Sequence, residues 1–288
     1  MLDQLLNPVH HDHTPWLDRS GPDWLGCFPG LGTVRVGPDG AVGVEVVDGP
    51  APDRELALRQ GWGEPLALVR RGHHLTRGAT LTGGGRAVLV TGSADEIGRV
   101  ALGLGGHGWA LLADGLCPLT EQDGGWLAHP RTAPLLTRRG VARSTWTEGV
   151  PVRGGTDTIS LRTRTASPDD TPVPLGAVLH VRRCTGRESV ALHEVTGADR
   201  LRTAAALLVG GVLAQPVDDP AELLRRHLSL AGLSTARLSA DPHRAEAAMA
   251  LVLAWPALGQ AGDAVIEAVI EAVIEAVVDA VLDAGAGR

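Results

Sequence analysis

Alternating hydrophobic and polar residues mark the first regular segment of the chain. Residues 33–36 and 41–47 alternate on either side of the tetrapeptide Gly37-Pro38-Asp39-Gly40. This alternation, interrupted by turn-forming residues, is typical of two strands joined by a tight turn. The pattern therefore predicts a β-hairpin over residues 33–47.

The segments on either side of this hairpin have less regular patterns. Residues 1–30 are rich in Pro, Gly, His and Trp and show little periodicity, so they are predicted to be a loop-dominated lead-in. Further on, the apolar residues 66–69 predict a short strand, and Gly83-Gly84-Gly85 predicts a turn.

Two continuous apolar runs follow the glycine turn. Residues 87–91 have the pattern of a strand buried on both faces, and residues 109–113 form a second such run that ends at Asp114. A polar loop and a short helix around residues 100–104 separate the two runs. This order predicts a βαβ unit with a right-handed crossover.

The second half of the chain combines strands with helices. Residues 176–182 and 189–195 are predicted to be a neighbouring strand pair joined by a turn at residues 184–187. Three helices are predicted at residues 199–213, 220–230 and 242–255.

The last segment, residues 264–283, repeats a four-residue unit, AVIE AVIE AVIE AVVD AVLD. In a helix this spacing makes a slowly winding acidic stripe, while three positions in four remain apolar. Such a helix needs a partner surface around most of its circumference. Three interpretations stay open: it folds back on its own core, it joins copies of the chain into a homo-oligomer, or it frays as a tail.

The amino-acid composition excludes several kinds of catalytic and binding chemistry. All 26 basic residues are arginines, and the chain contains neither lysine nor tyrosine. Schiff-base chemistry and the lysine of a P-loop are therefore excluded. The net charge of −7, without a basic run, disfavours nucleic acid as a partner.

The cysteine spacing, the N-terminal pattern and the length of the apolar runs predict the cellular compartment and whether the chain enters a membrane. The three cysteines lie far apart without a CxxC pair, and the N-terminus lacks the pattern of a signal peptide. No run of 18 uncharged apolar residues is present. A cytoplasmic protein without a membrane partner is expected.

The segment from Gly85 to Thr120 carries a set of spaced motifs. They are Thr91-Gly92 at the end of a strand, Gly-Trp-Ala-Leu-Leu-Ala-Asp over residues 108–114, and Cys117-Pro118-Leu119. His129-Pro130 and residues 174–179 continue the pattern. These motifs resemble the HPr serine kinase/phosphorylase family, most of all its relatives that phosphorylate precursor peptides in lasso-peptide and similar tailoring pathways.

This resemblance implies a fold and a division of the chain. The expected fold is an α/β P-loop mixed sheet, like the C-terminal domain of HPr kinase, with flanking helices. The expected domains are an N-terminal loop and hairpin element at residues 1–50, an α/β core at 51–240 and a C-terminal helical segment at 241–288. The family's activity implies transfer of the γ-phosphate of ATP to a Ser or Thr hydroxyl.

The phosphate-binding loop departs from the family's GxxxxGKS pattern. By resemblance, the remnant nucleotide-binding residues are Gly92, Ser93, Gly98 and Arg99, listed in chain order. Five residues separate the two glycines instead of four, Arg99 stands in the lysine's place, and Val100 replaces the hydroxyl that holds Mg²⁺.

Two carboxylates, Asp95 and Glu96, fall where the resemblance places phosphate. Like charges 4 Å apart repel by about 1 kcal/mol in water and about 4 kcal/mol at an effective dielectric of 20. Asp114 matches the first of two family acids that contact metal or act as base, and Gly115 replaces the second. His74 matches a family histidine near the phosphates. Asp114 and His74 are therefore the candidate catalytic residues.

Two further patterns carry less chemistry. His10-His11-Asp12-His13 is the densest group of metal-ligand types, but it lies between prolines in a predicted loop, so no metal site is expected. Seven tryptophans dominate an otherwise aromatic-poor chain and are expected as core anchors or as the walls of a peptide groove.

Three interpretations of residues 92–114 remain open: a scaffold descended from a nucleotide site, an ATP site of unusual form, or a site for another ligand. The departures favour a degenerate kinase homologue that binds or scaffolds a peptide or partner protein. The alternative is an active ATP-dependent Ser/Thr kinase, in which Arg99 contacts the phosphates and Asp114 is base or metal ligand. ATP and magnesium are expected as cofactors only in that alternative.

Overall fold

The computed structural model describes residues 16–47, 49, 51–131, 135–138, 149–151, 158–161, 171–184, 190–207, 220–240 and 245–258. The protein is mixed α/β, with a seven-stranded mixed sheet and a small N-terminal antiparallel sheet. The chain divides into two compact units, residues 1–76 with 208–227 and residues 77–207 with 228–288. The expected domain limits at residues 50 and 240 stay a prediction.

The first unit contains a four-stranded antiparallel meander. Its strands follow one another in space as in sequence: β1 (Trp16–Ser20), β2 (Asp23–Phe28), β3 (Gly32–Val36) and β4 (Val42–Val46). The predicted hairpin at residues 33–47 is confirmed as β3 and β4. The predicted loop over residues 1–30 is wrong for residues 16–28. Trp24 and Phe28 lie on the same side of β2, and the Phe28 ring packs 4.5 Å from the Trp62 ring.

A helical segment covers this meander. It consists of α1 (Pro52–Leu58), a π-helical turn (Arg59–Gly63) and α2 (Glu64–Arg70). The strand predicted at residues 66–69 is therefore wrong. Leu58, Trp62 and Leu66 recur every four residues and are buried on one helical face, so the helical period overrides the short apolar run.

The second unit is built on the seven-stranded sheet. Its strands are β5 (His74–Gly83), β6 (Arg86–Thr91), β7 (Ala110–Gln122), β8 (Gly125–Ala128), β12 (Val173–Arg183), β13 (Ala191–Glu194) and β14 (Ser234–Ala240). Their spatial order is β13-β14-β12-β6-β5-β7-β8, and β8 also pairs with β12, so five of the strands form a closed ring. β6, β12 and β14 run parallel to one another.

Three strands form a separate antiparallel sheet with order β10-β11-β9. They are β9 (Leu135–Arg138), β10 (Gly149–Pro151) and β11 (Thr158–Leu161).

Two predicted strand neighbours are separated in the structure. β12 and β13 were expected to pair with each other, but β14 lies between them. β14 takes this inner position because Ala236 and Leu238 are fully buried in the core. In the same way β5 lies between β6 and β7, and the Gly84-Gly85 turn that joins β5 to β6 has positive φ at both residues, as the sequence predicted for a turn.

Further helices are α3 (Ala94–Gly106), α4 (Gly197–Leu207), α5 (Pro220–Leu230) and α6 (Ala245–Leu253), followed by a 3-10 turn (Pro256–Leu258). Of these, α3 and α6 pack on the same face of the large sheet. α4, α5 and α6 confirm the three predicted helices, and the predicted residues 208–213 and 242–244 lie outside the described residues. The core between sheet, α3 and α6 includes Val90, Leu102, Leu179 and Val252.

Within the described part of the chain, no helix combines the length and the apolar character needed to cross a membrane. The C-terminal repeat at residues 264–283 lies outside the described residues. Its three interpretations therefore stay predictions.

Candidate functional site

The junction between β6 and α3 is much tighter than the loop predicted from the sequence. β6 ends at Thr91, only Gly92 and Ser93 follow, and α3 begins at Ala94. Gly92 has φ +148, and a Cβ there would lie 2.6 Å from the carbonyl oxygen of Val181. The turn therefore packs directly against the backbone of β12.

The predicted phosphate loop over residues 92–100 is wrong in consequence. Residues 94–100 form the first two turns of α3, and Gly98 is buried inside the helix. A P-loop wraps phosphate with backbone N–H groups of a long turn, and a two-residue connection does not supply them.

A capping box sets the start of α3. The backbone N–H of Ser93 donates to Oε2 of Glu96 over 2.8 Å, and the N–H of Glu96 donates to Oγ of Ser93 over 3.4 Å. The sequence signal is the Ser-x-x-Glu spacing of residues 93–96, which is a known helix start. This helix start conflicts with a phosphate loop over the same residues.

The Glu96 carboxylate therefore occupies a position that an anion would take. The N–H groups at a helix N-terminus attract phosphates and carboxylates, helped by the helix dipole. Here two of those N–H groups are already satisfied by side chains of the same helix.

A pocket of about 100 Å³ opens beside the N-terminal turns of α3. It lies at the carboxyl ends of the parallel strands β12 and β14, where α/β proteins commonly bind ligands. Its polar lining is Ser93, Asp95, Glu96, Arg99 and Arg183, and its apolar lining is Val100, Val181, Leu238, Ala240, Ala248 and Met249.

The structure brings only some of the predicted site residues together. Ser93 and Arg99 line the pocket, and Gly92 forms the turn beside it. Asp114 is a half-buried residue of β7 and is not one of the residues that line this pocket. His74 is the first residue of β5 and belongs to the first unit, so its catalytic role stays a prediction.

Asp114 lies near the buried thiol of Cys117. Complete burial, with a smaller contribution from the Asp114 charge, raises the pKa of the Cys117 thiol to about 12. Cys117 is therefore a protonated core residue and not a nucleophile.

A second polar contact that the sequence did not predict links β6 to β12. Oγ1 of Thr91 lies 3.1 Å from Nδ1 of His180. Burial lowers the pKa of His180, the charges of Arg237 and Arg182 lower it further, and the charge of Glu96 opposes them. A single histidine within a predicted strand does not indicate which residue of another strand it will contact. The contact arises because the parallel register pairs His180 with Thr91.

The residues at the junction do not fit magnesium-ATP. Val100 stands where a P-loop would have its metal-holding hydroxyl, and its side chain is buried. Among the described residues, no three His, Cys, Asp or Glu side chains are grouped to hold a metal ion. The histidine cluster at residues 10–13 lies outside the described residues.

The sequence matches no family model and no curated protein. A solved structure of the Hpr(Ser) kinase/phosphatase from Coxiella burnetii is similar to this chain, with a TM-score of 0.31 and 10% sequence identity. The similar region covers 62% of this chain and 93% of the other. The chain is thus distantly similar in structure to an HPr(Ser) kinase/phosphatase.

Proposed function

We propose that this chain is a degenerate HPr kinase-like protein that binds a peptide or partner protein in a peptide-tailoring pathway and does not transfer phosphate. The observation that carries the proposal is the Glu96 carboxylate on the backbone N–H of Ser93. The family assignment rests on the motifs between Gly85 and Thr120.

A phosphate group at this helix would have to displace Glu96. The Ser93 N–H would then exchange a charged acceptor within its own helix for one from solution, and Glu96 would become a nearby like charge. The four charged side chains that line the pocket, Asp95, Glu96, Arg99 and Arg183, sum to zero. Exclusion of phosphate therefore depends on where the Glu96 carboxylate lies, not on the net charge of the pocket.

The second support is the absence of the groups that hold magnesium and the terminal phosphates. The chain contains no lysine, and Val100 is an apolar residue of the pocket wall. Arg99 can bind an anion in bidentate fashion, but a guanidinium does not coordinate a metal ion.

The third support is the size of the pocket. Small-molecule sites commonly enclose roughly 300–1,000 Å³, whereas this pocket encloses about 100 Å³. Apolar walls formed by Leu238, Ala248 and Met249 suit one side chain of a bound polypeptide better than a nucleotide.

The second candidate is an active ATP-dependent Ser/Thr kinase. One observation favours it: Arg99 and Arg183 line the same pocket, and paired guanidinium groups are common phosphate ligands. Against it, the candidate base Asp114 does not line that pocket.

The proposal is tested by incubating the purified protein with magnesium and γ-³²P-labelled ATP and following phosphate release or transfer. The wild-type protein is expected to show neither. Glu96→Ala is expected to let inorganic phosphate bind at the exposed helix N-terminus, whereas Asp95→Ala, one residue away, is not. Turnover of ATP by the wild type that disappears in Arg99→Ala would establish the kinase instead.

A further inference from the structure

The last strand of the four-stranded meander lies at an edge of its sheet. β4 pairs with β3 on one side and ends the order β1-β2-β3-β4. An edge strand presents a row of backbone N–H and C=O groups that no neighbouring strand takes up. The register with β3 determines which residues of β4 carry these outward groups.

Two hydrogen bonds beside the β3–β4 pairing show the direction of the backbone groups. The N–H of Gly37 donates to the Ala41 carbonyl over 2.9 Å, and the N–H of Val47 donates to the Leu31 carbonyl over 3.1 Å. Hydrogen-bonded and non-hydrogen-bonded pairs alternate along an antiparallel ladder, so the ladder bonds fall at the odd-numbered residues of β4. The N–H and C=O groups of its even-numbered residues therefore point away from β3.

Arg59 agrees with this direction and occupies one of the outward groups. Its Nη1 donates to the Val42 carbonyl oxygen over 3.0 Å from the π-helical turn. Within the described part of the chain, no hydrogen bond beyond the β3–β4 ladder reaches the backbone of Val44 or Val46. The N–H and C=O groups of these two valines are therefore open donors and acceptors at the sheet edge.

The side chains of β4 give its two faces different characters. Val44 and Val46 are half-buried against the apolar core of the first unit. Successive residues of a strand point to opposite faces, so Glu45 lies on the other face, where it is exposed. Among the described residues Glu45 forms no ion pair. A strand added at this edge would meet apolar side chains on one face and an unpaired carboxylate on the other.

We infer that the β4 edge is a docking site for an extended segment of a partner polypeptide that carries a basic residue between two apolar ones. The segment adds a strand to the meander and exchanges backbone hydrogen bonds with Val44 and Val46. Its apolar side chains lie beside these valines, and its basic side chain lies opposite Glu45. This site goes beyond the proposed function, because it belongs to the first unit and does not depend on the pocket beside α3.

The open backbone groups select a polypeptide strand as the occupant. Donors and acceptors recur at every second residue of a strand, at a rise of roughly 3.4 Å per residue, and another extended backbone repeats that spacing. Opposite charges on facing residues of neighbouring strands are stabilising, which selects a basic residue opposite Glu45. The net charge of −7 also attracts a basic segment.

A second copy of this chain fits the edge less well. Pairing Val44 with Val44 of a second copy would need the Val42 carbonyl, which already accepts a hydrogen bond from Arg59. Pairing Val44 with Val46 of a second copy would put the two Glu45 side chains opposite each other, where like charges are destabilising. A segment of a different polypeptide avoids both conflicts.

The test is an NMR titration of the full chain, labelled with ¹⁵N-valine, with the peptide Ser-Val-Arg-Val-Ser up to millimolar concentration. The amide resonances of Val44 and Val46 are expected to shift in a saturable way, because these N–H groups gain acceptors. Those of Val88 and Val90, which lie in β6 of the second unit, are expected to stay in place. The dependence of the shifts on peptide concentration gives the Kd.

Two N-methylated peptides form a matched pair. Methylation of both valine nitrogens removes the donors that face β4, and we expect the Kd to rise at least about ten-fold. Methylation of the arginine nitrogen, which points away from β4, is expected to leave the Kd within about three-fold.

Charge is tested on the protein side. Glu45→Gln is expected to weaken binding by up to about five-fold at low salt, since the facing ion pair is exposed. Glu194→Gln, which removes an exposed glutamate from β13, is the control and is expected to leave the Kd unchanged. Circular dichroism and the Tm of each variant establish that it is folded.

Four results would overturn the inference. They are unmoved Val44 and Val46 amides, equal losses for the two methylated peptides, equal binding of a peptide with glutamate in place of the arginine, and the same shifts on raising the protein concentration without peptide. The last would assign the edge to a second copy of the chain. Phosphate transfer would remove the proposed function without moving these valine amides, so the two failures are distinguishable.

Discussion

Oε2 of Glu96 accepts a hydrogen bond of 2.8 Å from the backbone N–H of Ser93. The contact spans one turn at the start of α3, and the reverse bond from the Glu96 N–H to Oγ of Ser93 closes it. The helix therefore provides its own anion at the end where phosphate binds in nucleotide-binding proteins. These two capping hydrogen bonds connect the fold of the β6–α3 junction with the proposed loss of phosphate transfer.

Ser93→Ala removes one half of the capping box. We expect the free energy of unfolding to fall by about 1 kcal/mol, because the N–H of Glu96 loses its acceptor at the N-cap. Urea unfolding followed by circular dichroism measures it. Ser239→Ala in β14, where the serine is not a helix cap, is the control, and equal midpoints for the two variants would contradict the role of the cap.

Gly92→Ala tests the tight connection to β12. The new Cβ would meet the Val181 carbonyl oxygen at 2.6 Å, at a φ that L-residues rarely adopt. We expect a loss of about 2 kcal/mol or more in unfolding free energy. Gly106→Ala, at an exposed helical position with no atom within 4 Å of its Cβ, should be neutral or stabilising by up to about 1 kcal/mol. Similar Tm values for the two variants would contradict the close approach.

Because of Cys117, the free energy of unfolding is expected to depend on pH in the alkaline range. Its pKa rises from 9.0 to about 12 on folding, so the unfolded chain loses this proton first as the pH increases. Stability from this group is complete below pH 9 and is lost progressively as the pH rises from about 9 to about 12. The chain has no lysine or tyrosine, so few other side chains titrate in that window.

The measurement is the free energy of unfolding between pH 8 and 11 for the wild type and for Cys117→Ala. The wild type should lose stability with a slope of at most about 1.4 kcal/mol per pH unit from this residue, and the variant should lose less. Cys184→Ala, a partly exposed thiol, should keep the wild-type slope. Identical slopes for the wild type and Cys117→Ala would be incompatible with a buried, protonated thiol.

His180 should titrate below the usual range for histidine. Burial is the larger cause and the Arg237 charge the next, so Arg237→Gln should raise its pKa without restoring it fully. Because the folded value lies below 6.5, stability from this group is lost as the pH falls below about 6.5. NMR titration of the imidazole protons measures the change. An unaltered midpoint in Arg237→Gln, or a shift of equal size in Arg86→Gln, would contradict the proximity of the two charges.

Local patterns predicted the elements whose signals lie within one segment. The hairpin of β3 and β4, the buried strand β6 and the helix α5 all follow from periodicity and turn residues near them in sequence. The order of the strands in the large sheet could not be predicted from these local patterns. β14 inserts between β12 and β13 because of core contacts between segments about 50 residues apart, which no single segment reveals.

The candidate site was predictable in part. Its position at the end of β6 and the participation of Ser93 and Arg99 came from the motif pattern. The place of Arg183 in the pocket and the proximity of His180 to Thr91 and Arg237 did not, because only the parallel register of β6, β12 and β14 brings these residues together. The Ser-x-x-Glu cap was visible in the sequence and conflicted with the loop that the motifs suggested.

The most direct test of the central claim is the equilibrium binding of magnesium-ATP to the wild-type protein, measured by isothermal titration calorimetry together with the Tm. A nucleotide at 100 times its Kd would stabilise the fold by about 2.7 kcal/mol. With the Glu96 carboxylate bonded to the start of α3, no saturable heat and no change in Tm are expected up to millimolar nucleotide. Saturable binding with a raised Tm, both lost in Arg99→Ala, would contradict the account.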